Sequence, residues 1–466
     1  MMSSVDRANR RRLLAVCVAA LALTGNPIEV RGQPPAWLDR YREPAARLIG
    51  EATGDTFAWK RLAVLTDTIG HRLSGSPQLE RAIEWAVAEL KRDGLENVHT
   101  EKVMVPHWVR GSESAEIVEP ARHALVMLGL GNSLGTGPDG VQAEVLVVHS
   151  FNELESAAPR VKGKIVFFNV AYTSYEETVT YRTDGPSRAA RSGAVAALVR
   201  AVGPPGLRTP HTGALQYSAD APRIPAAAVT TEDAERLQRM ADRGDRVVVR
   251  LKMDAHFEAD AESANVVAEW RGREKPDEFV VIGGHLDSWD VGAGATDDGG
   301  GCVVTWEALR LMKKLNLRPR RTVRVVLWTN EENGTRGGIA YRDRHRSELA
   351  NHVMMLESDN GVFRPLGFGF TGGDGARQKV RAIATLLQGI AADAILPGGE
   401  GADINPSVRD ARIPSLALAV DDAKYFTIHH TPADTIDKID PVEMAKCVAA
   451  VAVMTFVVAD LPDRLE

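Results

Sequence analysis

"VIGGHLDSWDVGAGATDDGGG", residues 281–301, decides how the rest of the chain is read. It packs one His, four Asp and seven Gly into a turn-rich run straight after a β-like stretch, "EFVVIGGH" (278–285). The run leads into "GGCVVTWEALRLMKKL" (300–315), whose apolar residues recur at helical spacing. The same alternation continues downstream. "RTVRVVLWTNEE" (321–332) reads as a strand, "NHVMMLESD" (351–359) as another, and "ARQKVRAIATLLQGI" (376–390) as a helix. "IPSLALAV" (413–420) is a strand and "PVEMAKCVAAVAVMTFVVADL" (441–461) a closing helix. Strands alternating with helices predict an α/β fold with a mostly parallel central sheet covered by helices on both faces. In such sheets function gathers at the carboxyl ends of the strands.

Upstream, residues 36–94 are helical in pattern, most clearly "SPQLERAIEWAVAELKRDG" (76–94). Ser76 can cap, Pro77 suits the first turn and Gly94 closes the helix. "VHTEKVMV" (98–105) then alternates like a strand. Near residue 118 the texture changes to short β-runs between turns, with one helix-like run, "PSRAARSGAVAALVRA" (186–201). We therefore expect a leader at 1–32, the first part of the main domain at 33–118, a small β-rich insert at 119–258, and the second part at 259–466.

The chain has 466 residues, 44% hydrophobic and 25% charged, as expected of a globular protein with a full core. A net charge of −6, with no basic block beyond the first dozen residues, argues against nucleic acid as a partner. Arg7, Arg10, Arg11 and Arg12 precede "LLAVCVAALAL" (13–23), an apolar run too short to span a bilayer. This reads as an export signal, toward a periplasm or the outside. No later segment approaches 18 apolar residues free of charge, so no membrane is expected once the leader is gone. Only Cys302 and Cys447 follow the leader, and both read as buried free thiols rather than a disulfide framework.

Chemistry-bearing residues collect at the strand ends. His285 ends the first strand, with Asp287 two residues on. The glycine-rich loop brings Asp297 and Asp298 to a helix start. Glu331 and Glu332 end the second strand, Asp359 the third, and "HHTPADTID" (429–437) follows the last. Imidazole plus carboxylate without thiolate suits Zn²⁺ in a hydrolytic site. One His, one Asp, one Glu, one Asp and one His, taken from the five segments in order, exceed what one tetrahedral ion with a water needs. They suit two ions about 3.5–4 Å apart that share a carboxylate and a water or hydroxide. Glycines beside Asp297 would let the backbone bend around the cations. Adjacent on a strand end, Glu331 and Glu332 would diverge, one to metal and one to the attacking water.

The motifs "GGHLDS", "GATDDGGG", "NEENG", "ESDNG" and "HHTPADT" together resemble the zinc exopeptidases of the aminopeptidase and glutamate carboxypeptidase family. "GGHLDSWDVG", "NLRPRRTVRVVLWT" (316–329) and "GEGADI" (399–404) resemble its plasma glutamate carboxypeptidase branch. The resemblance implies two Zn²⁺ per chain, bridged by Asp297 and a water or hydroxide. It places His285 and Asp359 on one ion, and His430 and Glu332 on the other. It makes Glu331 the general base and Asp287 the residue that fixes His285. It further implies a cis peptide between Asp297 and Asp298, a protease-associated insert, a homodimer, and short peptide substrates, dipeptides with free termini above all.

Blander roles compete at several positions. Asp298 caps the following helix more naturally than it binds metal. His429 is the alternative ligand to His430, and Asp434 and Asp437 read as turn or cap residues. Glu357 reads as structural, Glu400 and Asp403 as cleft lining or loop supports, and Tyr425 as an oxyanion donor or a core residue. His107, His345 and His352 stand outside the acidic motifs and read as surface or core residues. Arg364, Arg409, Arg412 and Lys424 are candidates for holding a terminal carboxylate. Alternative functions are an aminopeptidase for longer peptides, a single-zinc glutaminyl cyclase, and a non-catalytic receptor-like protein.

Overall fold

The structure, a computed structural model, describes residues 35–465, so the leader-like segment 1–32 lies outside the described residues. Among the described residues the strands form two eight-stranded sheets and a two-stranded ribbon. The first sheet contains β1 (Glu96–Val105), β2 (Ala261–Trp270), β3 (Lys275–His285), β4 (Arg321–Trp328), β5 (His352–Glu357), β6 (Pro365–Thr371), β7 (Ala394–Pro397) and β8 (Ser415–Val420). Their spatial order is β1-β2-β4-β3-β5-β8-β6-β7. The centre, β4-β3-β5-β8, is parallel, whereas β1-β2, β2-β4 and β8-β6 are antiparallel. The sheet is thus mixed, with the expected parallel character confined largely to its middle. Pro365–Thr371 and Ala394–Pro397, which glycine and proline disguise as loop, complete one edge.

Side-chain alternation sorts the apolar residues of the central strands between two faces. Val280, Ile282, Val323, Val325 and Leu327 point into the larger core, under helices that include Asp39–Thr53, Gly300–Lys314 and Pro441–Asp460. Val281, Val326 and Trp328 face the smaller core, under Arg336–Arg344 and Asn405–Ala411. Helix Pro441–Asp460 is long and apolar enough to cross a membrane by length and composition, and 83% of its most apolar window is buried inside the fold. Helix Pro77–Arg92 starts as its sequence suggests: Ser76 Oγ accepts from Leu79 N at 3.2 Å.

The second sheet lies within residues 113–253, between β1 and β2 in the chain. Its strand Glu113–Glu119 pairs antiparallel with Val248–Met253, so the texture change near residue 118 falls at the end of this strand. Val141–Val148, Ile165–Phe168, Ala196–Arg200 and Ala226–Val229 run parallel to one another. The run 186–201 is not one helix. Helix Gly185–Arg191 ends before Gly193, at φ 88°, and Ala196–Arg200 is a strand. Periodicity cannot separate a short buried strand from a helix, and here two parallel neighbours decide.

The register of the first sheet builds the site. His285 lies level with Trp328, and Gly283 with Glu357. The chains leaving β3, β4 and β5 therefore emerge side by side at one edge.

Candidate metal centre

Asp297 stands at the centre of this edge. Its Oδ1 lies 3.1 Å from His285 Nε2, and its Oδ2 lies 3.2 Å from His430 Nε2. One carboxylate thus faces two imidazoles from distant parts of the chain, one oxygen to each. Asp359 Oδ1 completes the first half, 3.2 Å from His285 Nε2. Glu332 Oε2 completes the second, 3.1 Å from His430 Nε2. His429 also approaches, its Nε2 3.4 Å from Asp297 Oδ2 and its ring stacked on His430 at 3.5 Å. Of the two histidines only His430 also reaches Glu332. Its backbone takes the left-handed region, φ 58°.

Asp297 is fixed from behind. Asp434, buried after the last strand, accepts Thr296 N at 2.7 Å and Asp297 N at 3.2 Å. The peptide between Asp297 and Asp298 is cis. Asp298 turns away from the centre: its Oδ2 accepts His285 N at 3.0 Å and its Oδ1 accepts Gly301 N at 3.1 Å, at the start of the next helix. The glycines serve close packing here. A Cβ on Gly284 would lie 2.2 Å from Asp298 Oδ2, and one on Gly301 would lie 1.8 Å from Ser358 O. Arg72, wholly buried, holds the same loop from below. It donates to Leu286 O, Gly70 O, Ala293 O and Gly294 O at 2.7–2.9 Å. Nothing in the sequence around Arg72 signals this role, because its acceptors are backbone carbonyls more than 200 residues away in all but one case.

Glu331 and Glu332 sit in a turn after β4 rather than on the strand itself. Asp287 holds that turn. Its carboxylate accepts Glu331 N at 3.1 Å and Glu332 N at 3.3 Å. His285 Nδ1 instead meets the backbone oxygen of Asp287, at 3.0 Å, with the nearest carboxylate oxygen at 3.7 Å. The Asp287 side chain therefore organises the glutamate pair, and its main chain orients the imidazole. Glu332 is fixed further by Trp289 N, which donates to its Oε1 at 3.1 Å. Among the described residues the Glu331 carboxylate makes no side-chain hydrogen bond. Burial, then the charges of Asp359, Glu332 and Asp297, push it well above the usual carboxylate range. Burial and Asp297 push Glu332 up to about 7. Burial raises Asp297 too, but the neighbouring His285, His430 and His429 imidazoles outweigh that and hold it well below the usual range.

The donor set fits cations. Two atoms each about 2 Å from one tetrahedral zinc lie about 3.3 Å apart, close to the observed separations. Asp297 Oδ2 is buried without a hydrogen bond. The ion-pair partners of Asp297, Asp359 and Glu332 among the described residues are imidazoles, not Lys or Arg. Carboxylates buried this densely require positive charge among them.

Other candidate residues fall outside the centre. Glu357 accepts Asp403 N at 3.1 Å and Ile404 N at 3.0 Å, a loop support, and Glu400 is exposed beside Thr371. Tyr425 is buried, its ring 5.0 Å from that of His429. Asp437 pairs with Lys438 at the surface. Arg364, Arg409, Arg412 and Lys424 are all exposed, and Arg364 pairs with Asp421 at 2.7 Å. His345 and His352 do have polar company, which only the fold creates: His345 Nε2 meets Glu101 at 2.8 Å and His352 Nε2 meets Tyr341 Oη at 2.9 Å. His107 pairs with Glu258 at 3.3 Å. Cys302 and Cys447 are buried free thiols, as expected.

Comparison with known proteins agrees with the motifs. The profile of Peptidase family M28 matches residues 265–455. Carboxypeptidase Q of Bos taurus is 50% identical over 408 residues, spanning 88% of this chain and 86% of that protein. The crystal structure of a Peptidase M28 precursor from Shewanella amazonensis superposes with a TM-score of 0.88 at 33% identity, covering 92% of this chain and 98% of that one. A zinc aminopeptidase from Bacillus subtilis shares the fold, with a TM-score of 0.66 at 18% identity over 88% of this chain and 96% of that one. The chain belongs to peptidase family M28 and is a metallopeptidase.

Proposed function

We propose that the chain is a co-catalytic dizinc exopeptidase that hydrolyses dipeptides or other short peptides with free termini. The observation that carries this reading is the pair of Asp297 oxygens, each facing a different imidazole. His285, Asp359 and Asp297 would hold one ion; His430, Glu332 and Asp297 the other. Bound there, two zinc ions would polarise the scissile carbonyl and acidify a water between them. Glu331 takes the proton of the attacking water on its carboxylate and passes it to the departing amine nitrogen. Its raised affinity for protons, set by burial and neighbouring acids, helps it hold that proton between the two transfers. The absence of a competing hydrogen bond leaves that carboxylate free to do so.

The unit around the second sheet, at 113–253, corresponds in this reading to a protease-associated insert, and it narrows the cleft to short substrates. Its helix Tyr175–Thr183 supports this: Tyr175 stacks on Phe426 at 5.1 Å and meets His429 edge-on at 5.2 Å. The N-terminal leader pattern supports export, to a periplasm or beyond. The similarity to carboxypeptidase Q over most of both chains supports action at a free carboxyl terminus.

Elemental analysis of the metal-saturated protein tests the reading, expecting two zinc ions per chain. Glu331→Gln should keep both ions and lose about 10²–10⁴ in kcat. A panel of free, N-blocked and C-amidated dipeptides should show turnover of the free forms alone. Parent-level turnover in E331Q would end the base assignment. Equal turnover of C-amidated dipeptides and longer peptides would make the enzyme an aminopeptidase.

A further inference from the structure

The two imidazoles of the centre differ in what lies behind them. A histidine bound to metal through Nε2 carries its remaining proton on Nδ1 and ordinarily donates it to a carbonyl or carboxylate. His285 has such an acceptor, the oxygen of Asp287 at 3.0 Å. His430 does not. Its Nδ1 faces Arg182 Nη1 at 3.5 Å. A guanidinium has five N–H donors and no acceptor, so it cannot receive that proton.

Arg182 comes from helix Tyr175–Thr183 of the second-sheet unit and is 5% exposed. Its Nη1 also donates to Thr212 O at 3.1 Å, and its Nη2 donates to Tyr175 Oη at 2.9 Å. Among the described residues none of its partners is a carboxylate, and its Nε is buried without a partner. Its charge is therefore not neutralised locally and acts on its neighbour. Thr212 closes the contact from the other side, its N donating to His430 O at 2.9 Å. That bond grips the ligand where its backbone is left-handed, φ 58°. The approach depends on Gly213, where a Cβ would lie 2.2 Å from Arg182 Nη1 and 2.8 Å from His430 Nδ1. The insert thus presses a cation against one metal ligand and leaves the other with an ordinary acceptor.

We infer that Arg182 is a positioning residue that makes the His430–Glu332 half of the centre the weaker zinc site, so that the insert sets the affinity of one of the two ions. This rests on the dizinc reading proposed above. The cation opposes the Nδ1 proton that ligation through Nε2 requires and draws electron density from the ring, while the Thr212 bond holds the His430 main chain in place.

The test is a zinc titration of the full metal-free chain against a chromogenic chelator at fixed pH. The parent should show two steps of unequal affinity. Arg182→Gln offers Nδ1 a carbonyl acceptor and removes the charge. It should tighten the weaker step roughly tenfold or more and leave the tighter step in place. Arg182→Lys keeps the charge and should keep the parent's weaker step. Arg182→Met, without charge or acceptor, should fall between them, and it serves the same purpose should R182Q not fold. An unmoved weaker step in both R182Q and R182M would overturn the inference, as would equal shifts of both steps or a shift in R182K as large as in R182Q. A parent chain that takes up a single ion would instead overturn the dizinc reading beneath it.

Discussion

Asp287 offers the sharpest test of how the centre is assembled. Its carboxylate accepts the amides of Glu331 and Glu332 at 3.1 and 3.3 Å, while His285 leans on its backbone oxygen. Hydrogen bonds to a charged acceptor contribute about 1.5–3 kcal/mol each, so removing both in Asp287→Ala should cost about 3–6 kcal/mol of stability. Asp287→Asn retains one side-chain oxygen and should lose about half of that. The effect on catalysis should exceed the effect on metal binding. The turn that carries Glu331 loses an anchor, and a misplacement of about 1 Å at a reacting group lowers turnover about 10²-fold. The main-chain contact to His285 survives either substitution. D287N should therefore bind zinc to the parent stoichiometry when saturated, yet show kcat down by about 10². The assay is dipeptide turnover at saturating zinc, alongside elemental analysis and urea unfolding. A D287N enzyme whose kcat returns to the parent value once zinc is saturating would refute the reasoning. It would mean that the side chain works through the imidazole after all.

Two further outcomes follow from groups away from the ligands themselves. Arg72→Lys keeps the charge but cannot span four carbonyls with one ammonium, so it should lower both the thermal midpoint and kcat/KM; equality with the parent in both measurements would show that the loop does not depend on this clamp. Glu101 is buried, which raises its affinity for protons, but hydrogen bonds from His345 and His99 outweigh burial and hold it at about 2, below its ordinary value of 4.5. A carboxyl whose folded pKa is depressed contributes stability that is full above about pH 4.5 and is lost as pH falls toward 2. Denaturant midpoints at pH 5 and pH 3 should therefore fall further in the parent than in Glu101→Gln, and equal losses in the two proteins would contradict the assignment.

Much of the fold and of the site was legible along the chain. Strand–helix alternation from 262 onward reports an α/β sheet because each element must bury a stripe of its own period. The glycine–aspartate run after β3 reports a site, since such charge density at a strand end requires a partner. The five proposed ligand residues and Glu331 are each visible as acids or imidazoles in segments that follow strands, and the fold brings all six to one edge. What the chain could not report depends on contacts between distant segments. Periodicity carries no pairing, so the antiparallel edges, the glycine-rich strand Pro365–Thr371 and the helix-to-strand change within 186–201 emerged only with their neighbours in place. The division of labour within Asp287, between main chain and side chain, depends on where the β4 turn lands. Arg72, Asp434 and Arg182 act through backbone atoms or through a ring from another unit, and no local pattern encodes such partners. Residue type fixes which side chains can hold a metal or move a proton. Tertiary structure alone decides what stands behind each of them, because second contacts are made across the sheet edge rather than along the chain.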